Sequence, residues 1–310
     1  PMEFVTINVE IPDNISLVFD TVSTLNLLQE IDHPEEVISW IVSPCPKYQI
    51  SRDAVSLFPN LKSVITPSTG VDHIDVVQLQ HQGVEVFSLR DSPKYYSISA
   101  SSEYTFALML SLFRNIPKAA SFPSQGRWRE SEKYLRSREL ANLNLGIVGF
   151  GRIGQNVARY ASAMSLSVKY FDPYVEVDGY EKKDDIHELV AQADILLISP
   201  VLTPETRGLI DFKLLSEAKS TLLVVNTSRG EIVDEADMSK AVVDNVIGGF
   251  ACDVLCGEID GTWVRSPILE LVNHGYNVVV TPHIAGLTLD SESKAQNVAI
   301  ELAVRSVDKS

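Results

Sequence analysis

The chain has 310 residues, 45% hydrophobic and 22% charged, with 16 Gly and 15 Pro, a composition that excludes disordered, collagen-like and coiled-coil classes. At about 150 residues per domain the length suggests roughly two domains, each long enough to bury its own core. Lys and Arg total 26 against 41 Asp and Glu, a formal charge of −15, so the field of the whole molecule repels phosphates and nucleic acid is not expected as a partner.

The first hundred residues alternate β-rich runs with helical or polar stretches: VTINVEI, EVISWIV, LKSVIT and GVEVFSL, an α/β pattern. Residues 98–114 have the length and all-round apolarity of a buried helix, with Pro117 as its stop. The charged stretch 126–139, GRWRESEKYLRSRE, reads as solvated surface. From residue 145 the rhythm becomes regular: strand LGIVGF, helix GRIGQNVARYASAM, strand VKYFD, helix DIHELVAQA, strand ILLIS, helix DFKLLSEA, strand TLLVVN, helix DEADMSKAVVD, then strands GGFACDV and NVVVTP. Strands apolar throughout indicate a parallel sheet covered on both faces, as in a doubly wound fold. Residues 290–308 form the last helix.

Three cysteines, Cys45, Cys252 and Cys256, make an odd set without framework spacing and point to thiols in a reducing compartment, with the cytoplasm expected. The C-x-x-x-C of Cys252 and Cys256 lacks a second ligand pair, so no metal is expected. The segment PMEFVTINVE shows no leader pattern, and no window holds the roughly 18 apolar residues of a membrane helix.

The run LGIVGFGRIGQNVA places Gly149, Gly151 and Gly154 at G-x-G-x-x-G spacing between a strand and a helix. Gly149 permits the tight turn, Gly151 lets the backbone approach a pyrophosphate, and Gly154 lets helix and strand pack closely. Asp172 ends the next strand, where a carboxylate accepts from a ribose 2′-OH and repels a 2′-phosphate. NAD is therefore expected over NADP.

Three later segments, NTSRGEIVDE (226–235), ACDVLCGE (251–258) and TPHIAG (281–286), together with that fingerprint, resemble the NAD-dependent D-2-hydroxyacid dehydrogenase family. GVDHID from Gly70 and SEYTFALML from Ser102 extend the resemblance to nearly the whole chain. It implies Arg229 as binder of the substrate carboxylate, Glu258 as the orienting acid and His283 as the proton donor. The backbone at Thr69, Gly70 and Val71 shares the carboxylate. Arg152, Ile153, Thr203 and Thr227 join the cofactor contacts. Asp253 is expected either at the nicotinamide carboxamide or as a loop cap.

The residue types fit those roles. The planar fork of Arg229, after a buried strand, matches a carboxylate through two charge-assisted bonds, though a salt bridge to Asp234 is an alternative. His283 follows another strand end, and a carboxylate beside it favours imidazolium and fixes the ring. His73 and Asp75 read as structural.

The resemblance further implies a Rossmann cofactor domain over residues 99–286 and a smaller flavodoxin-like α/β substrate domain over 1–98 and 287–310, with the active site in the cleft between them. Homodimers formed through the cofactor domain are expected, the apolar run 106–113 offering a surface. One departure is plain: where the family reads H-V-P-L-T-P-E-T, this chain has Ser199-Pro200-Val201-Leu202-Thr203-Pro204-Glu205-Thr206. The expected activity is hydride transfer between NAD(H) and a small 2-keto or D-2-hydroxy acid, glyoxylate- or hydroxypyruvate-like, because Pro67-Ser68-Thr69-Gly70 offers no cation for a phosphate. A phosphoglycerate dehydrogenase-like enzyme and an NADH-sensing regulator without activity are the alternatives.

Overall fold

The computed structural model describes residues 8–18, 31–46 and 48–308. The chain divides into two compact units, Pro1–Ile98 with Ile259–Gly261 and Leu287–Ser310, and Ser99–Glu258 with Thr262–Gly286.

In the first unit β1 (Ser39–Ile41), β2 (Ser63–Ile65) and β3 (Glu85–Phe87) form a parallel three-stranded sheet in that order. Between them lie α1 (Arg52–Val55) and α2 (Val76–His81). Asp75 starts α2 by accepting the Gln78 N–H, the side-chain cap that satisfies a first-turn donor. The C-terminal helix α10 (Leu289–Asp308) buries Ala295, Val298, Ala299, Leu302 and Ala303 against Ile65, Leu89 and Ile98, the i, i+3, i+4, i+7 stripe of a helix on a sheet. Of the strand expected at VTINVEI, residues 5–7 lie outside the described residues, and 8–11 carry no strand.

The second unit opens with α3 (Ala100–Phe113) and α4 (Ile116–Ser121). Pro117 does not stop α3. The break falls at Asn115, whose φ of 53° is left-handed, and Pro117 sits in the first turn of α4, where its missing N–H costs no hydrogen bond. Half of the apolar run 106–113 is buried inside the unit, at Leu108, Met109, Leu112 and Phe113, with Phe106 and Leu110 partly buried against the same core.

There follow β4 (Asn144–Val148), α5 (Arg152–Ala163), β5 (Ser167–Phe171), β6 (Glu181–Lys182), α6 (Ile186–Gln192), β7 (Ile195–Ile198), α7 (Phe212–Leu215), β8 (Leu223–Asn226), α8 (Glu235–Val243), β9 (Gly249–Cys252), α9 (Pro267–Asn273) and β10 (Val278–Val280). The seven strands pair in parallel in the order β10-β9-β8-β7-β4-β5-β6. Chain order reverses between β4 and β7, the switch point at which doubly wound sheets bind ligands.

Alternate residues of each strand serve opposite cores. Leu145, Ile147, Leu197 and Val225 pack with Leu112, Val157 and Ala161 of α3 and α5. Val148, Leu196, Val224 and Phe250 pack with Leu189, Leu214, Met238 and Leu271 of α6 to α9. Both faces are covered, which is why these strands carry no polar alternation. Short β6 and α9 have no counterpart in the sequence reading. Among the described residues no helix is long and apolar enough to cross a membrane.

Candidate active site

The glycine turn lies between β4 and α5. Gly149 has φ +83°, and a Cβ there would stand 2.5 Å from the Pro200 backbone N, so only glycine fits. A Cβ on Gly154 would come within 2.5 Å of the Gly149 carbonyl oxygen, the close helix–strand contact its spacing predicts. Gly151 differs, because a Cβ on it would meet nothing within 4 Å. It is the N-cap of α5, which begins at Arg152 and Ile153 with no side-chain cap and no acidic residue in its first turn. A twelve-residue helix whose N-cap is a glycine and whose first turn carries no acidic residue fits an anionic pyrophosphate.

Asp172 closes the turn from below. Its Oδ2 accepts from Phe150 N at 2.7 Å and its Oδ1 from Tyr174 N and Val175 N at 2.9 and 3.0 Å. A carboxylate has about four acceptor positions, so three backbone amides leave room for a ribose hydroxyl. Asp172 thus builds the turn as well as offering itself to a ligand.

The departing loop after β7 packs onto this turn through Pro200, whose carbonyl accepts the Ser228 hydroxyl. Thr203 is folded into its own loop, its N–H donating to Thr206 Oγ1 at 2.8 Å. Thr227 shares a hydrogen bond with Thr105 of α3 at 2.7 Å.

Arg229, Glu258 and His283 follow three adjacent strands. Asn226 of β8 is in register with Cys252 of β9, and Cys252 with Val280 of β10, so the three loops leave the same sheet edge side by side. Glu258 Oε2 lies 2.5 Å from His283 Nδ1, while Glu258 Oε1 accepts from Leu255 N at 2.8 Å. Nδ1 therefore faces the carboxylate, and Nε2 is the nitrogen left to exchange a proton. Both side chains are about one-third exposed, His283 34% and Glu258 33%, open to a ligand.

His283 has φ 53°, the left-handed region that costs a non-glycine residue about 1 kcal/mol or more. Its N–H donates to the Asp253 carbonyl at 2.8 Å and to the Thr281 carbonyl at 3.1 Å, which holds it there. The carboxylate of Asp253, 1% exposed, accepts from Thr281 Oγ1 and Ile284 N on Oδ1 and from Ala285 N on Oδ2. This is the loop-capping role left open above. Gly230 joins the Arg229 loop to the Glu258 loop, since a Cβ there would lie 2.1 Å from the Leu255 carbonyl carbon. Asp234 caps α8 through Ala236 N and Asp237 N.

Thr69, Gly70 and Val71 belong to the loop after β2 in the first unit. Ser68 Oγ donates to the Gly70 carbonyl at 2.7 Å and bonds Thr66 Oγ1 at 2.8 Å, and the buried His73 ring bonds the same Thr66 hydroxyl at 3.2 Å. His73 is thus buried against Thr66, and Asp75 caps α2. Asn226 and Thr281, which tie the strand-end loops together, were passed over in the sequence because each ends an apolar strand as a lone polar residue. Among the described residues no group of three or more His, Cys, Asp or Glu side chains could hold a metal ion.

Residues 106–285 match the family described as "D-isomer specific 2-hydroxyacid dehydrogenase, NAD binding domain". The chain is 33% identical over 258 residues to D-3-phosphoglycerate dehydrogenase of Methanocaldococcus jannaschii, covering 82% of this chain and 47% of that one. It is 30% identical over 255 residues to hydroxypyruvate reductase of Thermotoga maritima, covering 82% and 79%. It thus spans about half the length of the phosphoglycerate dehydrogenase. The structure of D-lactate dehydrogenase from Aquifex aeolicus, complexed with NAD and lactic acid, superposes with a TM-score of 0.75 at 27% identity, over 92% of this chain and 84% of that one. The chain belongs to the D-isomer specific 2-hydroxyacid dehydrogenase family and carries its NAD-binding domain.

Proposed function

We propose that this protein interconverts a small 2-keto acid and the corresponding D-2-hydroxy acid with NAD(H), the observation that carries the reading being the 2.5 Å contact of His283 Nδ1 with Glu258 Oε2 on loops adjoining Arg229. Gly149, Gly151, Arg152, Ile153, Gly154, Asp172, Thr203 and Thr227 would hold the cofactor, while the buried Asp253 carboxylate stays with the His283 loop. Bound NADH supplies the hydride to the carbonyl carbon of the keto acid. Arg229 grips the substrate carboxylate with its fork, and the backbone of Thr69, Gly70 and Val71 shares it, which orients the carbonyl. His283 gives its Nε2 proton to the carbonyl oxygen as negative charge develops there. Glu258 holds the ring through Nδ1, so that Nε2 faces the substrate oxygen. In the reverse direction His283 takes the proton of the hydroxy acid.

A small uncharged substrate side chain is favoured, because Pro67-Ser68-Thr69-Gly70 brings no cation to the carboxylate loop. A homodimer and a cytoplasmic location belong to the same reading. The dimer is tested by light scattering of the purified protein, and a monomer at micromolar concentration removes it.

The test of function is NADH oxidation at 340 nm, with NADPH in parallel, against glyoxylate, hydroxypyruvate, pyruvate, 2-ketobutyrate, phenylpyruvate and 3-phosphohydroxypyruvate. Turnover with NADH on glyoxylate or hydroxypyruvate is expected. Tight NADH binding with no turnover on any of the six overturns the reading in favour of an NADH-sensing regulator.

A further inference from the structure

Asn226, the last residue of β8, is 1% exposed and uses both ends of its side-chain amide. Its Oδ1 accepts from Ser228 N at 3.0 Å, its Nδ2 donates to the Arg229 carbonyl at 2.9 Å, and its own carbonyl accepts from Asp253 N at 3.0 Å. The Asp253 carbonyl in turn accepts from His283 N at 2.8 Å. One run of hydrogen bonds therefore passes from the backbone of Arg229 through Asn226 and Asp253 to the backbone of His283, across three parallel strand ends.

We propose that Asn226 is a positioning residue that sets the Arg229 loop against the His283 loop. The inference rests on the function proposed above. A carboxylate clamp and a proton donor acting on one small molecule must be held within a fraction of an ångström of each other. The position demands a donor and an acceptor at one length. Aspartate lacks the donor, serine is too short to reach both partners, and an apolar residue leaves a buried N–H and C=O without partners. Asp253 completes the run from the other side, its carboxylate holding Thr281, Ile284 and Ala285 so that the His283 loop cannot drift from the strand end.

The test compares Asn226→Ala and Asn226→Ser with the wild type, alone and in an Arg229→Lys background. The readouts are keto-acid kinetics, NADH binding by fluorescence, and amide hydrogen exchange. In the wild-type background Asn226→Ala is expected to raise KM for the keto acid about tenfold and lower kcat about tenfold, with NADH affinity changed by less than about threefold. With Arg229 already replaced, the same substitution is expected to cost less than about threefold in kcat/KM, because the group being positioned is gone. Equal losses in both backgrounds would show a general structural effect and overturn the proposal. Asn226→Ser keeps an acceptor for Ser228 N–H and carries the test if the alanine variant does not fold.

Hydrogen exchange decides independently of turnover. Faster exchange at Ser228 and Arg229, with the amides of His283, β4 and β7 unchanged, supports the proposal, because the bond to Asp253 N uses the Asn226 backbone carbonyl that the variants keep, and unchanged exchange at Arg229 sinks it. Failure of the wild type to reduce any keto acid would strike the functional reading alone.

Discussion

With Nδ1 of His283 committed to Glu258, the ring can work through only one nitrogen, and the two residues have separable effects. His283→Asn removes the proton donor and is expected to lower kcat by about 10³-fold, within the range for general acid catalysis, with NADH affinity unchanged. Glu258→Gln keeps the shape but loses the charge, and a loss of about 10–100-fold in kcat is expected. Stopped-flow NADH oxidation separates the two, and an unaffected His283→Asn enzyme would remove His283 from the chemistry. Cys256 lies two residues before Glu258 in the same loop. Burial, with Glu235 and Glu231 beside it, pushes its thiol up to about 12. Iodoacetamide at pH 8 is therefore expected to label Cys256 at least about 100-fold more slowly than an unperturbed thiol, followed by mass spectrometry.

At the level of elements, two glycines with similar motif logic are expected to respond differently to the same substitution. Gly151→Ala adds a methyl to open space, so the melting temperature is expected to hold while NADH affinity drops about tenfold or more, read by calorimetry and fluorescence. Gly230→Ala drives a methyl into the backbone of Leu255 and Cys256, and a loss of about 2–4 kcal/mol of stability is expected. A strand-end carboxylate gives the corresponding electrostatic test. Burial disfavours the charged form of Asp194, but Asn144 N–H at 2.9 Å, Lys219 at 3.0 Å and Arg138 at 3.5 Å outweigh it and hold its carboxyl below the ordinary 3.8. A carboxylate lowered in the folded state adds stability above its unfolded value, and that stability is lost as pH falls through the folded value. Asp194→Asn is therefore expected to cost about 1–2 kcal/mol at pH 7, with the gap to wild type closing as pH falls below the ordinary 3.8 in urea titrations.

For the molecule as a whole, cofactor preference is tied to the fold of the turn. Asp172 holds Phe150, Tyr174 and Val175 by their amides, so replacing it does more than remove a charge. Asp172→Ser is expected to weaken NADH binding about tenfold or more without producing an enzyme that prefers NADPH. A clean exchange of preference in kcat/KM would mean that the turn stands without those three bonds. The acidic molecule, with its formal charge of −15, can hold an anionic ligand only where a local donor set overrides that field. The start of α5 is such a place in the NAD-binding domain.

The strand–turn–helix–strand order, the parallel sheet and the glycine turn were legible in the sequence because they depend on local rules: apolar runs of strand length, glycine where a side chain cannot fit, a carboxylate at a strand end. Arg229, Glu258 and His283 were visible as strand-end residues and through the family resemblance, not through any spacing between them, since 25 residues of chain separate Glu258 from its histidine partner. Tertiary structure decided the rest. It divided the acceptors of Asp172 among three amides, gave Asp253 to the His283 loop, and made Asn226 the link between strand ends. It also ended α3 at Asn115 rather than at Pro117, through a left-handed residue that no periodicity marks. The roles of Asp172, Asp253 and Asn226 turn on which backbone groups lie within about 3 Å of a side chain. That distance exists only once strands far apart in the chain stand next to each other in the sheet.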